Sequence, residues 1–591
     1  MTSAMTSFPI ISSAQANLPA AFFRVAAENG EKLLLASKRG GQWQSMSYAD
    51  VADQVRRLAA ALIHQGIKPG DKVFISSENR PEWAVADLAI MAIGAIVVPS
   101  FVTNTIDDFA YIMGHADAVL AITSGGELAR KVAAAAQKVD GLDRLIVMDE
   151  TADFDATRLQ IFGWQDLLET ASPLTDLDDR IAGMAGDDVC CFIYTSGTGG
   201  RPKGVMLTHR SIQANIDAAI DLLAEGGVAE DQRFLSLLPL SHSYEHTAGM
   251  HLPFQTRSEV WYCESADQIA NNLAEVAPTL MTAVPRLYEV LHDRITRGVK
   301  AKGGVSEKLF HAAVRIGVKK IRNERLSLGE ALINPLLDRL VRKKVKSRLG
   351  GRLNYFISGG AALNPDIGEF FMGLGVNLLQ GYGQTEASPL ISANRPGQIK
   401  IASVGPVVRG VEVKISRDGE ILTRGDMLMK GYWKDEAATA QTIKKGWLHT
   451  GDLGEVDDDG FITITGRKKD IIVNSGGDNI APSRVEGILT IEPEIEQVMV
   501  DGDQKPWLAA VVVPAPDLRE SNSDEAIQAA VGEAINRANQ RLSKLEQVRR
   551  FMIADEPFTT ENGQMTATLK TRRHVIRKVY GERLDALYPK S

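Results

Sequence analysis

The apolar stretch Val189-Cys190-Cys191-Phe192-Ile193 runs directly into Tyr194-Thr195-Ser196-Gly197-Thr198-Gly199-Gly200-Arg201-Pro202-Lys203-Gly204. The first part reads as a buried strand. In the second, glycines let backbone N–H groups approach an anion, hydroxyls add donors, and Lys203 adds a point charge. Together these make a polyphosphate cradle at a strand end. It is not a Walker A loop. That pattern needs Gly-Lys-Ser/Thr, and here Lys203 lies between Pro202 and Gly204. A strand that must deliver such a loop to a ligand favours a sheet whose ligands sit at the carboxyl ends of its strands.

The 591 residues exceed what one hydrophobic core organises, so at least two domains are expected. A chain 44% hydrophobic and 24% charged is globular, and a net charge of -8 argues against general nucleic-acid binding. Cys190, Cys191 and Cys263 are too few and too poorly spaced for a disulfide framework or a zinc site. A reducing, cytoplasmic setting fits them. Met1 to Ala20 has no basic segment followed by an apolar one, so no signal peptide is expected. The most apolar run, Ala84 to Phe101, contains Asp87, Gly94 and Pro99 and reads as a helix leading into a buried strand, not a membrane span.

Helical and strand patterns alternate along the first part. Tyr48 to Gln65 has helical apolar spacing, Lys72 to Ser76 is a strand, Trp83 to Ile93 is helical, and Ala95 to Pro99 is a strand. This predicts an α/β chain with mostly parallel sheets covered by helices. Val284 to Tyr288 and Tyr355 to Gly360 look like further strand ends. Between Leu291 and Leu349 lies a base-rich helical insertion, read as a helical pair, with Leu336, Leu337, Leu340 and Val341 giving part of it an apolar face. Near Gly466 the character changes. A boundary is expected at about Lys469, dividing the chain into 1–468 and 469–591. The smaller part reads as α+β, with two strands between Glu496 and Pro514 and helices over Asp524 to Val548 and Thr571 to Leu587.

Five segments occur in one order: the loop at Tyr194 to Gly204, Gly381-Tyr382-Gly383-Gln384-Thr385-Glu386, Thr450-Gly451-Asp452, Gly466-Arg467-Lys468-Lys469-Asp470, and a lysine near the C-terminus. Together they resemble the adenylate-forming (AMP-binding) superfamily, from about Leu18 to about Arg577. Ala283 to Tyr288, the helical insertion, Ser358 to Leu363 and Glu561-Asn562-Gly563 to Lys570 are similar to long-chain acyl-CoA synthetases. The resemblance implies a large N-terminal domain, a small mobile C-terminal domain, and a reaction in two halves. A carboxylate attacks the α-phosphorus of ATP to give an acyl-adenylate and pyrophosphate. A thiol, usually that of coenzyme A, then displaces AMP.

The resemblance also implies roles. Thr195, Ser196, Gly197, Thr198, Gly200 and Lys203 would form the loop over the β- and γ-phosphates, with Gly199 where the family usually has a second Thr. Glu386 would hold Mg²⁺, with Thr198 beside it. Thr385 would contact the α-phosphate. Gly381, Tyr382 and Gly383 would line the nucleotide, Tyr382 stacking on adenine, and Gly359, Gly360 and Ala361 would let the base lie against backbone. Asp452, with Arg467, would bind the ribose. Lys570 would bridge the carboxylate and the α-phosphate, although Ala567 replaces the usual Pro of its loop. Lys469 sits at the hinge. Gly476 and Gly477 would line a pantetheine channel after the small domain turns, with Asp478 where Lys or Glu is commoner. His242 would gate the acyl pocket or orient the carboxylate, with His246 a weaker guess for a gate.

A chain of about sixteen carbons carries some fourteen methylenes at roughly 0.8 kcal/mol each, which calls for a dry tunnel. Long-chain fatty acids are therefore the expected substrates, with medium-chain or aryl acids next. A fatty acyl-AMP ligase serving a carrier protein is the second enzyme reading. A non-catalytic acyl-binding protein on this scaffold would lose Lys570, Glu386 or Asp452, and all three are present. The basic insertion suggests peripheral contact with the inner face of a membrane, or contact with the phosphates of a cofactor. Monomer and homodimer both stay open.

Overall fold

The computed structural model describes residues 17–149, 158–172, 174–195, 201–228, 230–566 and 570–589. Two eight-stranded sheets dominate the first part. In one, Leu378–Gly383, Tyr355–Ser358, Leu280–Ala283, Arg233–Ser236, Glu259–Tyr262 and Leu33–Arg39 run parallel, with Leu390–Ala393 and Gln42–Ser47 antiparallel at the edges. In the other, Val189–Thr195, Ile96–Pro99, Lys72–Ser76, Ala118–Thr123, Arg144–Val147 and Gln160–Gly163 run parallel. Lys203–Thr208 and Gly431–Tyr432 extend that sheet antiparallel.

Local chemistry accounts for the elements between them. Ser47 and Asp50 form a capping box that starts helix Tyr48–His64, and Val51, Val55, Leu58 and Leu62 put one buried stripe on it. Helix Pro81–Ala92 is buried on every side. Its residues join strands of both sheets in one core, so a sequence apolar all round becomes the filling between two layers. One of the two acids on that helix, Asp87, is fully buried and meets His246 Nε2 at 2.9 Å and His251 Nε2 at 3.2 Å.

Some expectations need correction. Val284 to Tyr288 is not a strand end: the strand closes at Ala283, and Pro285, favoured in a first turn, opens helix Pro285–Lys302. The insertion is more than a pair, comprising Pro285–Lys302, Gly304–Ile321, Leu328–Leu337, a π-helical segment Asp338–Arg342, and Lys343–Arg348. The helix expected over Asp524 to Val548 stops at Asn539, because Val548 begins a strand, Val548–Ile553, that pairs parallel with Leu508–Pro514. A five-stranded antiparallel sheet spans 411–467 and closes with strand Ile462–Arg467, just where the character of the sequence changes.

Beyond Lys469 the chain has its own cores around strands Ile495–Asp501, Leu508–Pro514 and Val548–Ile553. It leans on the first part through Asn364 Nδ2, which donates to the Gly487 carbonyl at 2.7 Å, and through the Arg541–Asp366 ion pair. No helix among the described residues is long and apolar enough to cross a membrane.

Candidate active site

A cavity of about 1340 Å³ opens where the strand ends of both large sheets, the five-stranded sheet and the C-terminal part meet. Strand Val189–Thr195 brings Thr195 to it, and the antiparallel return brings Lys203. Ser196, Gly197, Thr198 and Gly200 lie outside the described residues, as does Ala567. Lys203 Nζ sits 3.6 Å from Asp435 and 4.9 Å from the centre of the Tyr432 ring.

Strand Leu378–Gly383 carries Gly381, Tyr382 and Gly383 into the wall, and a short 3₁₀ turn holds Thr385 and Glu386 beside them. Gly383 is obligatory on steric grounds, since a Cβ there would stand 1.7 Å from the Pro389 carbonyl oxygen. The Thr385 hydroxyl lies 3.1 Å from that of Ser243. The Tyr432 hydroxyl donates to Glu386 Oε1 at 2.8 Å, and among the described residues no donor meets Oε2. One oxygen is thus fixed while the other stays available, which suits a carboxylate that holds a divalent cation together with phosphate oxygens and waters.

Asp452 is buried behind the cavity wall, next to the lining residues Tyr382 and Arg467. Its Oδ2 accepts from the Tyr382 hydroxyl at 2.7 Å and its Oδ1 from Arg467 Nε at 2.8 Å. The antiparallel register sets Asp452 directly opposite Arg467. Each carboxylate oxygen keeps a second lone pair, so the pair can still accept from a sugar hydroxyl. The side chain of Lys570 is open to solvent in the cleft yet walled in by protein. That loss of hydration and then the charge of Arg467 lower its pKa, while Asp452 and Glu386 oppose the shift. Its backbone N–H donates to the Thr566 hydroxyl at 3.0 Å, closing the loop that presents it.

His242 lies in the wall against Phe101, with ring centres 6.4 Å apart. Burial, with Lys570 nearby, brings its pKa down to about 4, so the ring is neutral at physiological pH. Its Nδ1 accepts the Tyr244 backbone N–H at 3.1 Å, and the neutral ring therefore carries its proton on Nε2. A neutral N–H donor orients a carboxylate without becoming its counter-ion. His246 does not serve as a gate. It is fully buried against Trp83 and Asp87, away from the cavity.

Gly359 and Gly360 line the cavity, but Ala361 is exposed outside it. A Cβ on Gly359 would meet the Tyr244 ring at 3.1 Å. Gly476 and Gly477 are exposed in a turn held by Asn474, whose Oδ1 accepts from Gly476 and Asp478, and they do not reach the cavity. Lys468 is tied to the five-stranded sheet through Asp418 at 2.5 Å and Glu420 at 3.3 Å, and the exposed Lys469 follows immediately.

Sequence reasoning missed Tyr432, Asp435 and Ser243. The available signal was the run Gly431-Tyr432-Trp433, a glycine followed by two aromatics, of which Gly431 and Tyr432 pair with the strand of Lys203. Apolar side chains also line the cavity, among them Ile193, Ala219, Leu222, Leu223, Ala248 and Leu252.

Residues 22–433 match the AMP-binding enzyme family, and residues 469–591 match the AMP-binding enzyme C-terminal domain. The chain is 32% identical to the long-chain-fatty-acid–CoA ligase FadD15 of Mycobacterium tuberculosis, over 97% of each chain. It is 30% identical to the peroxisomal long chain acyl-CoA synthetase 6 of Arabidopsis thaliana, over 93% of this chain and 82% of that one. Among solved structures, the anthranilate CoA ligase AuaEII in complex with anthranoyl-AMP shares the fold at a TM-score of 0.73 and 20% identity, covering 96% of this chain and 97% of the other.

Proposed function

The chain belongs to the AMP-binding enzyme family, and from that premise we propose that it is a long-chain fatty acid–CoA ligase acting through an acyl-adenylate. The observation that carries the reading is one cavity with two characters. Lys203, Glu386, Arg467 and Lys570 line it with charge, while Ala219, Leu222 and Leu223 of helix His209–Glu225 and Ala248 of the π-helical segment Glu245–His251 line it with apolar surface. A fatty acid needs both, a dry wall for its chain and donors for its carboxylate.

In the first half-reaction two anions must meet, so the site cancels repulsion and holds the attack in line. The His242 Nε2–H donates to one carboxylate oxygen. Lys570 spans the carboxylate and the α-phosphate, where its charge matters most as the bond forms. Thr385 donates to an α-phosphate oxygen. Thr195, Ser196, Gly197, Thr198, Gly200 and Lys203 hold the β- and γ-phosphates. Tyr382, flanked by Gly381 and Gly383, faces the adenine, Gly359 and Gly360 clear space for it, and Asp452 with Arg467 takes the ribose. Glu386, with Thr198, would hold Mg²⁺, which would neutralise phosphate charge.

In the second half, residues 469–591 turn about Lys469, withdraw Lys570 and bring Gly476 and Gly477 to the coenzyme A channel. The tethered Lys468 next to an exposed Lys469 supports a hinge at that bond. The two matched regions support the division into 1–468 and 469–591. The fully buried Cys190 and Cys191 fit a cytoplasmic setting.

The test is AMP and pyrophosphate release across saturated acids of increasing length, with and without coenzyme A. We expect coenzyme A-dependent AMP release that peaks with long chains. A peak at short or aryl acids contradicts the substrate, and release indifferent to coenzyme A favours an acyl-AMP ligase.

A further inference from the structure

Eleven large apolar side chains are exposed among the described residues, and five of them fall between residues 328 and 340. Leu328 is 87% exposed, Leu332 81% and Leu336 52%, with Ile333 and Leu340 beside them. Leu328, Leu332, Leu336 and Leu340 recur every fourth residue, which puts them along one side of the segment. Folding of the domain does not account for them, because the same segment has a second apolar side that does pack inward. Leu337 is 0% and Val341 8% exposed.

The segment is well fastened. Ser327 and Glu330 form a capping box at its start, Lys319 holds Glu330 at 2.8 Å, and Arg342 donates to the carbonyls of Gly373 and Ala313 at its end. The leucines are therefore held outward by a rigid element, and contiguous exposed apolar surface of this kind marks a contact site.

The charge around them identifies the contact. Residues 291–349 contain sixteen Lys and Arg against five Asp and Glu, in a chain whose net charge is -8. Arg325, Arg339, Lys343 and Lys344 are exposed and make no ion pair among the described residues. A leucine stripe flanked by unpaired cations matches an interfacial helix that sinks its apolar side among acyl chains and sets its basic side against headgroups.

We propose that helix Leu328–Leu337, with the π-helical segment that follows, docks this protein onto an anionic lipid bilayer. The inference rests on the acyl-ligase reading only for its purpose. Helix Pro285–Lys302, which opens the insertion, starts one residue from Val284, whose side chain lies 3.5 Å from the position a Cβ on Gly360 in the cavity wall would take.

The test is flotation of the full chain with vesicles of phosphatidylglycerol and phosphatidylcholine in equal amounts, against phosphatidylcholine alone, with no substrate present. We expect at least tenfold more protein on the anionic vesicles. Combining Leu328→Gln, Leu332→Gln and Leu336→Gln should cut that binding at least tenfold, and Arg339→Gln with Lys343→Gln and Lys344→Gln should erase the preference for anionic lipid. Turnover of an acid supplied in solution should stay within twofold for both variants. Should the triple leucine variant fold poorly, Leu328→Gln alone, at the most exposed position, should still weaken binding measurably. Unchanged binding after loss of the leucines overturns the proposal. So does a shift of the protein from dimer to monomer in the same variant, which would assign the face to a second copy. Binding is read without catalysis, so failure of the ligase reading leaves this result intact, and the reverse.

Discussion

At the residue scale, the site holds its two carboxylates against fixed partners. Tyr432 pins one oxygen of Glu386, and Tyr382 and Arg467 pin both oxygens of Asp452. Lys570 has no such partner among the described residues and faces the cleft. A lysine held by nothing but its loop can leave, as two half-reactions on one site require. Replacing it, Lys570→Ala, should slow acyl-adenylate formation by about 10²–10³-fold, the cost of losing one preorganised charge contact to the transition state. Conversion of supplied acyl-adenylate to thioester should stay within a few-fold. Quenched-flow assay of each half separately checks this, and equal loss in both halves would contradict the assignment. The structure puts Glu386 and Lys570 in the cavity wall, and their motifs singled them out because their neighbours in the chain carry the pattern. Tyr432 was not, since its role comes from a strand pairing that joins it to Lys203 across more than two hundred residues.

At the scale of elements, the strands that read most clearly are the uniformly apolar ones, Lys72–Ser76 and Val189–Thr195, which are buried on both faces. The five-stranded antiparallel sheet was less legible because its strands alternate or stay half-exposed, as in Val411–Ile415. The turns that build it were visible. Asp418-Gly419 and Asp459-Gly460 are tight-turn pairs, with φ of 81° and 83° at the glycines. Helix Asp524–Asn539 was overextended because the residues after it continue polar and helix-compatible until Val548 enters the sheet. Close approach also leaves testable marks. Gly383→Ala would force a methyl into the Pro389 carbonyl, and a loss of about 3 kcal/mol is expected from such overpacking. Urea denaturation measures it, and a midpoint equal to the parent's would show that the two strands can part at no cost.

For the whole molecule, buried ionisable groups set the dependence of stability on pH. His209 is held near 3 and His242 near 4 by burial, so the unfolded chain takes up protons below 6.5 that the native protein refuses. Glu245 acts in the opposite sense. Burial raises it to about 7 from 4.5, against the pull of the Ser236 and Thr282 hydroxyls, each 2.6 Å away, so the native protein keeps a proton there that the unfolded chain has lost. Near pH 5.5 the unfolded chain thus binds two of these protons and the native protein one. From these three groups stability falls as pH falls, by about 1.4 kcal/mol per unit. Glu245→Gln removes the opposing proton and should steepen the slope to about twice that value. Denaturation midpoints between pH 5 and 6.5 report it, and an unchanged slope would mean that Glu245 is ionised in the native state.

Above all this stands the claim that one cavity forms an acyl-adenylate and then, after the small domain turns, a thioester. A single-turnover experiment addresses it directly, with enzyme in excess, a long-chain acid, ATP and Mg²⁺ but no coenzyme A, quenched before and after a chase of coenzyme A. The account predicts enzyme-held acyl-adenylate with one equivalent of pyrophosphate before the chase, and its full conversion to acyl-CoA and AMP afterwards. No adenylate before the chase, or an adenylate that coenzyme A leaves untouched, would contradict it.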